Sequence, residues 1–124
     1  MKPRVVLAAT LLALLSGAAF AHHSFAMFDQ DKEVKLVGTI KEVQWTNPHI
    51  WVQVMAPNPA NGQMVEWSIE GGSPNGLSRQ GWRRNSLKAG DKVEITIHPL
   101  KNGENGGSLM KVLVDGKPVG NRPA

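Results

Sequence analysis

The chain has 124 residues, with 14 Lys and Arg against 10 Asp and Glu, and no cysteine. The absence of cysteine excludes a disulfide framework, thiolate metal sites and cysteine nucleophiles, so a core or a ligand must hold the fold. The formal net charge of +4 falls to about +2 once Lys2 and Arg4 are set aside with the leader, which makes no charge case for a nucleic-acid partner.

Residues 1–21 have the parts of a secretory signal. Lys2 and Arg4 give a positive start, and residues 5–15 are an apolar run broken only by Thr10. Ser16 and Gly17 loosen the helix, and Ala19-x-Ala21 is a small-residue cleavage pattern. A membrane-spanning helix needs about 20 apolar residues to cross roughly 30 Å of hydrocarbon, and this run is shorter. The expectation is cleavage after Ala21, no transmembrane anchor, no lipid-bearing cysteine, and a periplasmic location. What remains, residues 22–124, is the size of one small domain.

Residues 22–34 read as a polar and aromatic arm. The first predicted strand covers residues 35–45, β-branched and ended by the turn signal Thr46-Asn47-Pro48. Its apolar phase slips, with Leu36 and Ile40 on one phase and Val43 and Trp45 on the other. That slip, with Gly38 inside the run, predicts a bulge or a sharp bend. The second strand, residues 50–55, puts Ile50, Val52 and Val54 on one face and Trp51, Gln53 and Met55 on the other. After a Pro/Asn/Gly turn, residues 64–70 form a third strand with Val65, Trp67 and Ile69 inward.

Ser73 followed by Pro74 is a helix-start signal, and Gly76 and Gly81 keep that helix short. The fourth strand, residues 92–98, alternates Val93, Ile95 and Ile97 inward, and Pro99 ends it. Residues 102–107 read as a Gly/Asn-rich loop before a fifth strand over residues 109–114. Asp115-Gly116 closes the domain, which spans residues 35–116, and residues 117–124 read as a tail.

Three strands, a short helix and two more strands, with a bent first strand, is the order of the OB-fold. The expected class is therefore all-β with one short helix, an OB-fold-like five-stranded Greek-key barrel, with a small sandwich or an SH3-like barrel as rivals. The segments HHSFAMFD, GTIKEVQWTNPHIWVQV, WSIEGGSPNGLSRQGW and LKAGDKVEITIHPLKNG resemble a family of small exported bacterial proteins known as a domain of unknown function. The resemblance spans essentially the whole mature chain and implies an exported single-domain protein. It implies no activity and carries no functional residues over.

Candidate metal ligands are the four histidines, His22, His23, His49 and His98. If His22 is the mature N-terminus, its free amine and its imidazole lie on one residue. An α-amine has a reference pKa of about 7.7–8.0, so deprotonating it to bind a metal is easy near neutral pH. A second imidazole then completes a T-shaped set of three nitrogens, which suits the tetragonal preference of Cu(II). His23 can add its ring, while Ser24 at the third mature position removes the usual amine–amide–imidazole motif. In an OB barrel the end of the fourth strand lies beside the entering arm, which favours His98 as the partner of His22. His49, in the loop after the first strand, suits a separate role. Scattered methionines (Met27, Met55, Met64, Met110) offer soft ligands, but such residues are ordinary gap-fillers. Zinc would need more grouped ligands than are evident.

Trp51 has the outward phase of the second strand, the OB platform on which aromatic faces stack ligands, and Trp45, near the first-strand turn, is expected beside it. The bland alternative is that Phe25 and Phe28 fold back to cover Trp51. Arg83 and Arg84, with Arg79, Lys88 and Trp82, form a basic cluster suited to an anion or to a solvated turn. No serine has a nucleophile-elbow context, and neither a zinc-protease motif nor a P-loop is present, so the sequence favours a binding protein over an enzyme. The expected readings are a copper-binding periplasmic protein and a metal-free module for a protein, glycan or other envelope component. A third, a copper oxidase or monooxygenase using the same chelate, is disfavoured because the sequence of so small a barrel shows no substrate groove.

Overall fold

The computed structural model describes residues 26–120. The leader, His22, His23 and Phe25, and residues 121–124, lie outside the described residues. Within them run β1 (Val34–Gln44), β2 (Trp51–Pro57), β3 (Met64–Glu70), α1 (Pro74–Arg79), β4 (Lys92–Pro99), β5 (Gly106–Val114) and β6 (Lys117–Pro118).

β1 is long enough to serve two partners. Its first half pairs antiparallel with β4, Val34 opposite Ile97, and its second half pairs with β2, Gln44 opposite Trp51. The change of partner falls at Thr39, which faces both Lys92 and Met55. Gly38 stands where a Cβ would run into the Met55 carbonyl oxygen, so only a bare backbone lets the strand bend this tightly. Ile40 faces Val54 while Glu42 faces Gln53, which leaves Lys41 as the extra residue of a bulge. Bend and bulge together account for the phase slip between Ile40 and Val43.

β2 pairs with β3, β4 pairs with β5, and the ring closes through three parallel pairs, Ser68 with Gly106, Ile69 with Gly107 and Glu70 with Ser108. The circular order β1-β2-β3-β5-β4 is OB connectivity: a closed five-stranded barrel, with β6 outside the ring on β5. The seam between β3 and β5 depends on its two glycines. A Cβ on Gly106 would stand 2.8 Å from the Ser68 carbonyl oxygen, and one on Gly107 would collide with the His98 carbonyl oxygen.

The barrel interior follows the period-2 alternation of the strands. Leu36, Ile40, Ile50, Val52, Val54, Ile69, Ile95 and Ile97 are fully buried, and Trp67 and Val112 join them. Among the described residues one buried side-chain polar atom, Trp67 Nε1, has no hydrogen-bond partner. α1 begins as its sequence dictates. Ser73 Oγ accepts from the Gly76 amide at 3.1 Å, Pro74 takes the first turn, and Leu77 is buried against the barrel.

Two elements differ from the expectation. β5 begins at Gly106, inside the stretch read as a loop, because glycine is a poor strand former on propensity yet fits the crowded seam. Residues 117–120, expected as tail, turn back on β5. Asp115 adopts φ 50° in the turn, β6 pairs Lys117 with Val114, and the Val119 amide donates to the Val112 carbonyl at 3.1 Å.

Candidate functional site

The start of the described chain lies along the end of β4. The Asp29 amide donates to the Pro99 carbonyl at 2.8 Å, the Lys101 amide donates to the Met27 carbonyl at 2.9 Å, and Phe28 bridges Leu100. Phe28 is buried here, on the β4 side of the ring, while Trp51 stands on β2. The arm then turns through residues 29–32, where Lys32 pairs with Asp29 at 3.7 Å, before entering β1.

His98 sits against this turn. It lies on the outward phase of β4, between Ile97 and Pro99, and its Nδ1 is 2.8 Å from the Lys32 carbonyl oxygen. A carbonyl can only accept, so Nδ1 carries the proton. In the neutral ring Nε2 is then the bare nitrogen, held in a fixed direction by a backbone anchor. An imidazole oriented through its other nitrogen is the usual state of a metal-ligating histidine.

His49 is tied differently. It follows the cis Asn47–Pro48 bond in the β1–β2 loop, and its Nδ1 donates to the Gly71 carbonyl oxygen at 3.1 Å. The loop is pinned to the chain after β3 by two further bonds, Ile50 N to Gly72 O and Gly71 N to Ile50 O. Its Nε2 faces Glu70 Oε1 at 3.7 Å, an ion pair when the ring is protonated. Both ring nitrogens therefore have protein neighbours.

Strand register relates the two histidines. Trp51 faces Glu70, Glu70 faces Ser108, and Ser108 faces His98 across three successive pairings. With strands about 4.8 Å apart, Glu70 and His98 are separated by two strand spacings, roughly 10 Å along the outer surface. Among the described residues no three His, Asp or Glu side chains gather around a point where a metal could sit. His49 and His98 belong to two places on this face.

Trp51 is half-buried on the outer side of β2, in line with Gln53, whose Nε2 donates to Ser68 Oγ at 3.1 Å. The end of the β4–β5 loop joins β3 at the same level, with the Ser68 amide donating to the Asn105 carbonyl at 3.1 Å. Trp45 is half-buried and packs against the core cluster, next to Gln44, the register partner of Trp51. Arg83 and Arg84 are exposed beyond α1 and, with Ser78, Gly81 and Trp82, line a shallow cleft.

A family of unknown function (DUF6152) matches residues 9–110. The chain belongs to that family. The matched span includes all four histidines, Trp45, Trp51 and the arginine cluster, and it ends at Met110 within β5. No curated protein and no solved structure matches the chain. Among the described residues, no helix is long and apolar enough to cross a membrane.

The sequence pointed to His98 and His49 through their loops. It held no sign of the partners that distinguish them. The Lys32 carbonyl and the Gly71 carbonyl are backbone groups, whose position depends on the folded ring. Glu70 could have been singled out, as an outward acid at the end of a strand facing the histidine-bearing loop.

Proposed function

We propose that the chain is exported to the periplasm, cleaved after Ala21, and binds one copper ion through the amine and imidazole of His22 with His98 as the further imidazole. The observation that carries this reading is the His98–Lys32 hydrogen bond of 2.8 Å, which fixes an available Nε2 beside the arm. The reach is sufficient. Four peptide units join His22 to Ala26, about 14 Å at roughly 3.5 Å each. Met27 bonds Lys101, three residues on from His98 and just beyond the end of β4, or about 10 Å away at most. The barrel offers an oriented imidazole and no complete cage of its own among the described residues, so the N-terminal chelate is what makes the site. His23 stands ready to add a ring nitrogen. The role we assign is metal holding or delivery.

The test is intact mass of the exported protein followed by Cu(II) titration. Expected are a start at His22 and about one copper per chain, with affinity collapsing in a variant carrying one extra residue before His22. A different N-terminus, or equal affinity in the extended variant, refutes the assignment.

A second reading, a metal-free module that takes a glycan or protein on the face of Trp51, Gln53 and Ser68, is favoured by the outward tryptophan at the start of β2. Trp51→Ala abolishing capture of an envelope glycan, with copper binding intact, would support it.

A further inference from the structure

Between α1 and β5, the residues Leu77, Gln80 and Trp82, the stretch Leu109–Val112 and the returning Pro118 and Val119 line a cleft of about 390 Å³. Its floor is apolar, made of Leu77, Trp82 and Val112, all buried, with Leu109 and Val119 half-buried at its sides. The returning segment is held in place at both ends. Val119 donates to Val112, and Gly120 approaches Trp82 so closely that a Cβ would stand 2.9 Å from the indole nitrogen.

Lys111 is the one charged residue among those that line this cleft. Lys111 and Gln80, both exposed, stand at the rim. Arg79 follows on the last turn of α1, and Arg83 and Arg84 line the adjoining shallow cleft that shares Trp82. Residues 71–90 contain no Asp or Glu at all. Among the described residues, the four ion pairs involve other side chains, so Lys111, Arg79, Arg83 and Arg84 have no carboxylate partner.

From this arrangement we infer a ligand site for a single-chain amphiphilic anion, an acyl chain in the cleft with its carboxylate at Lys111. The apolar floor argues against a bare hydrated ion, because stripping its water would go uncompensated there. The unpaired cations argue for a negative head on the ligand. The volume lies at the small end of ligand pockets, about 300–1,000 Å³, which suits one medium chain and not a two-chain lipid. The basic cluster after α1 then has a role as the electrostatic shoulder of this cleft.

The experiment titrates the intact protein with decanoate, following tryptophan fluorescence and the amide shifts of Val112 and Val119, with decanol and anionic phosphatidylglycerol vesicles as further arms. Expected is saturable binding of one decanoate, with decanol weaker and Lys111→Gln, an exposed position, lowering affinity about fivefold, the upper range for a rim ion pair. Absence of saturable decanoate binding overturns the proposal. So does equal binding of decanol, an unchanged affinity in Lys111→Gln, or shifts confined to residues away from the cleft. A response to vesicles alone also overturns it, and assigns the basic face to a membrane surface.

Discussion

His49 lies in the β1–β2 loop and His98 near the end of β4, and the two rings are held alike at one nitrogen and differently at the other. Each gives its Nδ1 proton to a backbone carbonyl, Gly71 for His49 and Lys32 for His98. The difference lies at Nε2. In His49 it faces Glu70 at 3.7 Å, while among the described residues no carboxylate pairs with His98. Under the proposed copper site, the histidine with a carboxylate at its second nitrogen serves the loop, and the one without serves the metal.

That contrast can be broken most forcefully with copper. His98→Ala should weaken Cu(II) binding by more than tenfold, because loss of even an outer-shell partner weakens metal sites by about 10–100-fold. His49→Ala should leave the affinity unchanged. A competition titration with a chromophoric chelator measures both, and equal losses would mean that the two rings are not distinguished. Lowering the pH should release copper from the native protein, since the amine and imidazoles bind metal only when deprotonated. Titrations repeated at successively lower pH should therefore show a steadily weaker complex, and a pH-independent affinity would point to carboxylate ligands instead.

Smaller effects sharpen the structural half of the comparison. His49→Ala should lower stability by about 1 kcal/mol in urea unfolding, the usual worth of one hydrogen bond. His98→Ala should instead loosen the arm, seen as faster hydrogen exchange at the Asp29 and Lys101 amides that join it to β4. Smallest of all, Glu70→Gln should change stability by less than about 1 kcal/mol, because the His49 ring it faces is 43% exposed. A larger loss would show that the pair anchors the loop more firmly than its geometry suggests.

The inward faces of the strands were legible because Val, Ile and Leu recur at every second position from Ile50 to Val54 and from Val93 to Ile97. The OB order followed from the elements, and with it the nearness of the β4 end to the arm, since β1 starts opposite Ile97. Trp45 was read as lying beside Trp51; it follows Gln44, which faces Trp51, and its ring packs partly on the core. The start of β5 was hidden because Gly106 and Gly107 look like loop residues; their fitness comes from the carbonyls of Ser68 and His98, which no local pattern reveals. The cleft beside α1 was equally hidden. Its wall is a stretch of a few residues with no periodicity, placed by one turn and by a pairing across β5.

The β3–β5 seam has a consequence for the life of the chain before the barrel exists. Until Gly106–Ser108 arrives, β3 and β4 each present an open edge, and both carry the apolar alternation that invites pairing with other chains. Those edges are sealed by the last long strand to be synthesised. A chain that stops short of Gly106 is therefore expected to associate with its own kind, whatever the condition of its histidines.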